Sequence, residues 1–299
     1  MIDVRRLRTL RAVADHRTVT AAAAALYLTP SAVSQQLAQL EGETGHRLLE
    51  RTAKGVHLTA AGEILLTHAT EVLAQLERAE ADLASYTAGH TGTVTVASFA
   101  TGISLLIAPA LVALRESAPG IRVRVRDAEG DASLLMLLDG EADIAVGVEY
   151  RGGPRPGDRR FAHTALYAEP FDVVLPAGHG LGEAEEIAVA QLAKEPWIGP
   201  YPGNPVHEVT MHACDLAGFE PEVVHRSDDF HAVAALAAAG AGVALIPRTA
   251  LRGMDLGAVL VRPIAAPAPT RRVFAARRAG AGAHPLLAAV LDALRAAAP

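Results

Sequence analysis

The chain contains one cysteine, Cys214, in 299 residues. A single thiol excludes an internal disulfide framework and a Cys-based zinc site, and it fits a reducing cytoplasm. Aromatic residues are scarce, at 4% of the chain, while 51% of the residues are apolar, many of them alanine. That balance points to closely packed helices rather than an aromatic-lined pocket. The N-terminus "MIDVRRLRTLRAVADHR" is basic but has no uninterrupted apolar core, so no secretory signal is expected. The longest apolar run, "AVAALAAAGAGVALIP" at 232–247, falls short of the roughly 20 residues of a membrane span. It reads as a buried helix, a glycine turn and a buried strand, and no membrane association is expected.

Catalytic and metal signatures are also missing. His207 and His212 are five apart, and His225 and His231 six apart, so neither pair has the i, i+4 spacing of a helical metal site. The "AGAG" at 239–242 precedes a strand instead of following one, which rules out a dinucleotide loop. There is no G-x-S-x-G elbow. No enzyme activity, metal or cofactor is therefore expected.

Charge is present but unevenly distributed. The net charge is −6, yet residues 1–58 hold eight Lys and Arg against five Asp and Glu. The N-terminal end is thus basic within an acidic chain, a hint of a nucleic-acid-binding segment. Within it, Val4, Leu7, Leu10, Val13 and Ala14 follow helical spacing. A second, short helix is expected to start at Thr20 as N-cap and to run through "AAAAAL" to Leu26. After the turn "YLT", the stretch "TPSAVSQQLAQLEGETG" at 29–45 forms a third, capped by Thr29 with Pro30 in the first turn. Two helices joined by a tight turn are the pattern of a helix-turn-helix. Alanines suit it, because helices that cross steeply need small side chains where they touch. Short extended pieces around Leu48–Arg51 and Val56–Leu58 then make a β-wing with Lys54 near its tip.

The third helix has an unusual outer face. Ser31, Ser34, Gln35, Gln36 and Gln39 are uncharged and rich in donors and acceptors, where a merely solvated helix would more often carry Glu and Lys. A recognition helix places its N-terminal side chains at base edges, and Gln and Ser can bond to them. Ser31, Ser34 and Gln35 are the candidate base readers. Thr20 and Thr29 at the helix starts are candidates for the phosphate backbone, Pro30 lies on the same DNA-binding surface, and Arg51 and Lys54 in the wing could add phosphate or minor-groove contacts.

From Leu58 to Tyr86 apolar residues alternate spacings of four and three, including Leu65, Val72, Leu76 and Leu83. That is a heptad seam suited to dimerisation through one long helix, and "TAGHTG" at 87–92 reads as a hinge after it. Beyond, "TVTVAS", "IRVRVRD", "ADIAVGV", "FDVVLP" and "GVALIP" alternate with helical segments. Such alternation implies βαβ units on a mostly parallel sheet, here in two small lobes with the chain's tail returning to the first.

The segment from "LRTLRAVADHR" through "LTAAGEILL", residues 7–66, closely resembles the N-terminal signature of LysR-type transcriptional regulators. It carries Thr20-x-Ala22-Ala23-x-x-Leu26, Ala32-Val33-Ser34, Leu40-Glu41 with Gly45, and Leu58-Thr59 with Gly62. "DGEADIAVG", "EPFDVVLPAGHGL", "AGFEP" and "AAGAGVALIP" resemble the family's effector domain. Four positions depart from the usual pattern: Pro30-Ser31 stands where many members have Gln-Pro, Gln35 where Arg is common, and Leu49 where Phe is usual.

The resemblance implies a winged helix-turn-helix at 1–58, a linker and dimerisation helix with hinge at 59–90, and a regulatory domain at 91–299. The last is similar to type 2 periplasmic binding proteins, with lobe I at 91–163 and 268–299 and lobe II at 164–267. The implied partners are promoter DNA, a second or further copy of the chain in a homodimer or homotetramer, and a small effector between the lobes. Ser98, Phe99 and Thr101 after the first strand offer a helix N-terminus suited to an anion. Asp131, Gly147 and Val148 are expected beside them, faced by Tyr201 and Phe230 from the other lobe. The hydroxyls favour a carboxylate ligand, while Asp131 favours an amine or amino acid. The competing readings are a solute-binding or enzymatic α/β protein with an accessory helical module, and an adaptor acting through its coiled coil.

Overall fold

In a computed structural model the chain is described at every residue except 1, 53–54, 87–90, 152 and 154–157. The hinge expected at 87–92 and the tip of the wing, with Lys54, fall largely outside the described residues.

The N-terminal module comprises α1 (Val4–His16), α2 (Val19–Ala25), α3 (Pro30–Thr44), β1 (Leu49–Thr52) and β2 (Gly55–Leu58). Each helix start has a side-chain cap. Asp3 accepts from Arg5 N at 2.8 Å, Thr18 from Ala21 N at 3.1 Å, and Thr29 from Ala32 N at 3.2 Å. The second helix therefore begins earlier than expected: Thr18 caps it, and Thr20 lies inside its first turn, exposed. Two threonines so close together offer the same cap signal, and the left-handed Arg17 (φ 59°) that ends α1 selects the first. Ala22 and Ala23 are buried where α2 meets α1 and α3, around a core of Leu7, Leu10, Val13, Val33, Leu37 and Leu40. Each fully buried leucine contributes about 1.5–3 kcal/mol relative to exposure. The wing is tied in by Val56 N, which donates to Arg17 O at 2.9 Å.

The long helix α4 (Ala60–Tyr86) grows directly out of this core. Gly62 touches the wing so closely that a Cβ there would lie 2.1 Å from Leu48 O. Ala69 and Leu73 are buried in the same half of the helix.

The rest of the chain is a two-lobed α/β domain. β3 (Gly92–Ser98) leads into one continuous helical run, made of α5 (Ala100–Gly102), a π turn at Ile103–Ile107 and α6 (Ala108–Ser117). This stretch, Ala100–Ser117, is the one described helix long and apolar enough to cross a membrane by composition. Here it packs Leu106, Ile107, Ala110 and Leu114 into the first lobe's core. β4 (Ile121–Asp127), α7 (Asp131–Asp139), β5 (Ile144–Glu149) and β6 (Phe161–Pro176) follow, then β7 (Pro196–Gly199), α8 (Pro205–Leu216), β8 (Glu222–Arg226) and α9 (Phe230–Ala238). β9 (Ala244–Pro247), β10 (Val259–Pro263), β11 (Thr270–Arg278) and α10 (Pro285–Ala296) complete the chain.

The sheet differs from the mostly parallel one expected. Its order is β10-β6-β11-β5-β3-β4, with β9 also on β6. Only β3 with β4 and β3 with β5 run parallel in it, and β6, β9, β10 and β11 pair antiparallel. The reason is the sixteen-residue β6, which passes through both lobes. Its first half pairs with the returning β11 and its second half with β9 and β10. The expected lobe boundary near residue 164 thus lies inside a single strand.

The N-terminal module rests on the first lobe. Gly280 admits α4 so closely that a Cβ would sit 2.1 Å from Ala74 O and 2.7 Å from the Glu77 Cβ. Arg278 pairs with Glu77 at 3.4 Å, His16 with Asp139 at 3.0 Å, and Asp15 with Arg160. Gly280→Ala should therefore push α4 off the lobe and cost about 1–3 kcal/mol, the usual scale of overpacking. Thermal unfolding of the full chain checks this, with a lowered midpoint expected.

Candidate functional site

Two regions collect the candidate residues. On α3, one face holds Val33, Leu37 and Leu40 in the core, which fixes what the opposite face presents. Thr29, Pro30, Ser31 and Gln35 are exposed there, and Ser34 is half-buried. The Thr29 and Ser31 hydroxyls lie 2.9 Å apart at the helix start. Gln36 behaves differently from its neighbours. Its Oε1 accepts from the buried Thr9 hydroxyl at 2.5 Å, so this side chain ties α3 to α1. Arg51 lies in β1, and Lys54 is outside the described residues.

Sequence reasoning missed two exposed groups beside this face. Tyr27, in the turn before α3, is 82% exposed and holds a left-handed φ of 54°. Arg47, between α3 and the wing, is exposed and has no salt-bridge partner among the described residues. Its position directly before the wing strand was the available signal.

Along α4 the four expected dimerisation residues divide. Leu65 is half-buried against the chain's own N-terminal core. Val72, Leu76 and Leu83 are exposed, at 42%, 38% and 67%, together with Ile64 at 65%. The first half of the seam thus serves the fold, and the second half is a surface stripe of large apolar side chains.

The second region is the cleft between the lobes, a cavity of 450 Å³ where strand ends meet helix starts. Phe99, Thr101, Gly147, Val148 and Phe230 line it. The other three effector candidates lie elsewhere. Ser98 is fully buried and donates to Phe99 O at 3.2 Å. Asp131 is turned to Tyr150, whose hydroxyl donates to it at 2.6 Å. Tyr201 is 53% exposed outside the cavity, although its backbone N–H donates to Asp228 at 3.0 Å.

What the cleft holds instead is acid. Asp127 ends β4 and Glu129 follows it on one side, and Asp228 and Asp229 precede α9 on the other. The Ala100 N–H at the expected anion site faces the Glu129 carboxylate. Glu129 is nevertheless pushed up to about 7, first by desolvation between the lobes and then by Asp228 and Asp127. Among the described residues Arg271 is the one arginine that lines the cleft, and it is 1% exposed. Its Nε and one terminal nitrogen donate to Glu169 Oε1 at 2.8 and 2.5 Å, and the other to Thr101 Oγ1 at 3.2 Å. Glu169 also accepts from Thr249 N at 2.7 Å. The guanidinium lies over the Phe99 ring, 5.2 Å from its centroid.

A capped three-helix module with an exposed hydroxyl and amide face on α3, joined by a long helix to a two-lobed domain with a solvent-reaching cleft, is the architecture of a ligand-responsive DNA-binding protein. Family comparison agrees at both ends. Residues 4–63 match the bacterial regulatory helix-turn-helix protein, lysR family, and residues 87–299 match the LysR substrate binding domain. The chain belongs to the LysR family of DNA-binding transcriptional regulators. It is 30% identical over 263 residues to the HTH-type transcriptional regulator AlsR of Bacillus subtilis, covering 85% of this chain and 83% of that one. A probable hydrogen peroxide-inducible genes activator of Mycobacterium avium is 29% identical, with 92% and 88% covered. A full-length OxyR variant from Pseudomonas aeruginosa shares the fold, with a TM-score of 0.66 and 23% identity over 99% of this chain and 95% of that one.

Cys214 sits apart from both regions. It is fully buried in the second lobe's core, beside Phe171, Trp197 and Leu192. Burial pushes its thiol up to about 12, the reverse of the lowered value that makes a cysteine reactive. Iodoacetamide and dilute peroxide are therefore expected to leave it unmodified in the folded chain at neutral pH. Mass spectrometry should detect modification only after unfolding.

Proposed function

We propose that this regulator reads DNA with Ser31, Ser34 and Gln35, with Pro30 beside them on the same surface, holds the backbone through Thr20 and Thr29, and adds phosphate or minor-groove contacts from Arg51 and Lys54. The observation that carries this reading is the two-sided character of α3, with core leucines on one face and exposed short hydroxyl and amide groups on the other. Full-length CbnR, which shares the fold at a TM-score of 0.57, is described as complexed with its target DNA. The chain works as a regulator and not as an enzyme, inside the cytoplasm where promoter DNA is reached. It acts as a homodimer or higher homo-oligomer through the exposed half of α4. An effector in the interlobe cleft shifts the balance between two arrangements of the oligomer, and with it the spacing or bend of the bound half-sites.

Leu76→Glu with Leu83→Glu should leave the fold intact and yield monomer in analytical ultracentrifugation. An unchanged sedimentation coefficient would contradict the seam. For DNA, Gln35→Ala should change which bases are preferred. Lys54→Ala should weaken all sequences alike and lower the slope of log affinity against log salt by about one. Fluorescence anisotropy on a randomised oligonucleotide set distinguishes them. Equal losses for both variants across all sequences would defeat the division of roles.

A further inference from the structure

We propose that the effector cleft selects an organic cation, a small molecule bearing an ammonium or guanidinium group, over a carboxylate. This rests on the reading of the cleft as the effector site. The cavity itself is the site, and its lining decides what fits.

Its volume of 450 Å³ lies within the range of small-molecule pockets. Four carboxylates border it, two from each lobe: Asp127 and Glu129, Asp228 and Asp229. Among the described residues none of Asp127, Glu129 and Asp228 has a cation within salt-bridge distance. Among the described residues Asp228 is met by neutral donors, Tyr201 N at 3.0 Å and the Asn204 amide at 3.1 Å. Asp229 caps α9 and is approached by His231 at 3.4 Å.

The cleft's arginine is already paired and only partly offsets the acids. Arg271 is matched by the buried Glu169, and its remaining hydrogen bond goes to Thr101. The pair is neutral as a unit, so the cavity faces a ligand with excess negative charge. A carboxylate entering it would meet like charge from both lobes. A cation would be attracted by both, and its binding would draw the lobes together.

An inorganic ion fits poorly. Among the described residues no three acidic or imidazole groups converge as a metal site. The acids are instead distributed around a cavity large enough for several carbon atoms. The half-buried Phe230 supplies an aromatic wall, which also suits a cation. Glu129 is raised first by desolvation and then by the neighbouring Asp228 and Asp127, and Arg271 and the Ala100 N–H only partly offset this.

The linkage has a definite sign. Glu129 at about 7 is mostly protonated below that pH, and a cation binds the ionised form. Affinity should therefore rise as pH increases through neutrality. Asp127, Asp228, Asp229, His231 and the Arg271–Glu169 pair are the charged groups facing it, so a His231→Gln background removes the imidazole from the titration.

The test uses the full chain and three probe series in calorimetry and thermal unfolding. These are cations (L-arginine methyl ester, 1,4-diaminobutane, agmatine), dicarboxylates (succinate, glutarate) and uncharged diols. Binding of a cation should weaken by about tenfold or more in Asp228→Asn or Glu129→Gln, the scale of one lost charge-assisted contact. It should also weaken by about the same factor as pH falls from above 7 to about 6, and then level off, and Glu129→Gln should abolish that pH dependence. Binding of dicarboxylates or diols alone, lost on Phe230→Ala, would overturn the cation assignment and keep the cleft as effector site. Cation binding that ignores Asp228→Asn and Glu129→Gln would overturn it as well. Binding by none of the series would count against both the cation and the cleft as a small-molecule site.

Discussion

The buried pair of Arg271 and Glu169 is the constraint on which the regulatory domain depends. The two residues face one another across β11 and β6, the strands that pass between the lobes. Both side chains are almost wholly buried, and their spare hydrogen bonds reach outward in opposite directions. Arg271 holds Thr101 at the start of the first lobe's long helix, and Glu169 holds Thr249 N in the second lobe. A buried ion pair contributes little net stability against an apolar substitute, but removing one member strands a charge at about 3–5 kcal/mol. Its value here is registry. It fixes where the strands cross, and so where the two walls of the cleft meet.

The first lobe then joins cleft and DNA-binding module. α7 begins beside Gly130, which lines the cavity, and ends at Asp139, which pairs with His16 of α1. Arg11 of the same helix as His16 donates to Leu138 O at 3.4 Å. The nine residues of α7 rise roughly 13 Å, so a short rigid element connects the ligand's surroundings to the module that carries α3. The close contact of Gly280 with α4 adds a second, parallel connection to that long helix. A ligand that alters the lobes' approach thus acts on two elements at once, provided it binds the two arrangements unequally.

Local signals were legible in the sequence, and choices made by tertiary contacts were not. The helix-turn-helix was readable because caps, alanines and leucine spacing are local. The cap at Thr18 in place of Thr20 was not, since the choice between two nearby threonines is made by the left-handed Arg17. The heptad spacing of α4 is real, but spacing alone cannot tell which half of a seam packs on its own domain. Leu65 faces inward and Leu76 outward for tertiary reasons. In the cleft, Gly147, Val148 and Phe230 followed from the family resemblance, while Tyr201 fell outside and the acids were not seen. Asp131 was the visible carboxylate, yet Tyr150 occupies it, and the cavity is bordered instead by Asp127, Glu129, Asp228 and Asp229. Their convergence joins segments far apart in the chain and exists only once β6 and β11 cross. The antiparallel pairing of those strands was hidden for the same reason, because alternating strands and helices read as parallel units.

The central claim is that this chain recognises particular DNA sequences through α3. Its most direct test is retention of sheared genomic DNA from the source organism by the purified full chain at moderate salt, with sequencing of what is held. The expected result is a small set of sites containing paired half-sites, separated by about one helical turn or a multiple of it. Weak, uniform retention that disappears as salt rises would indicate charge contacts only and would contradict the account.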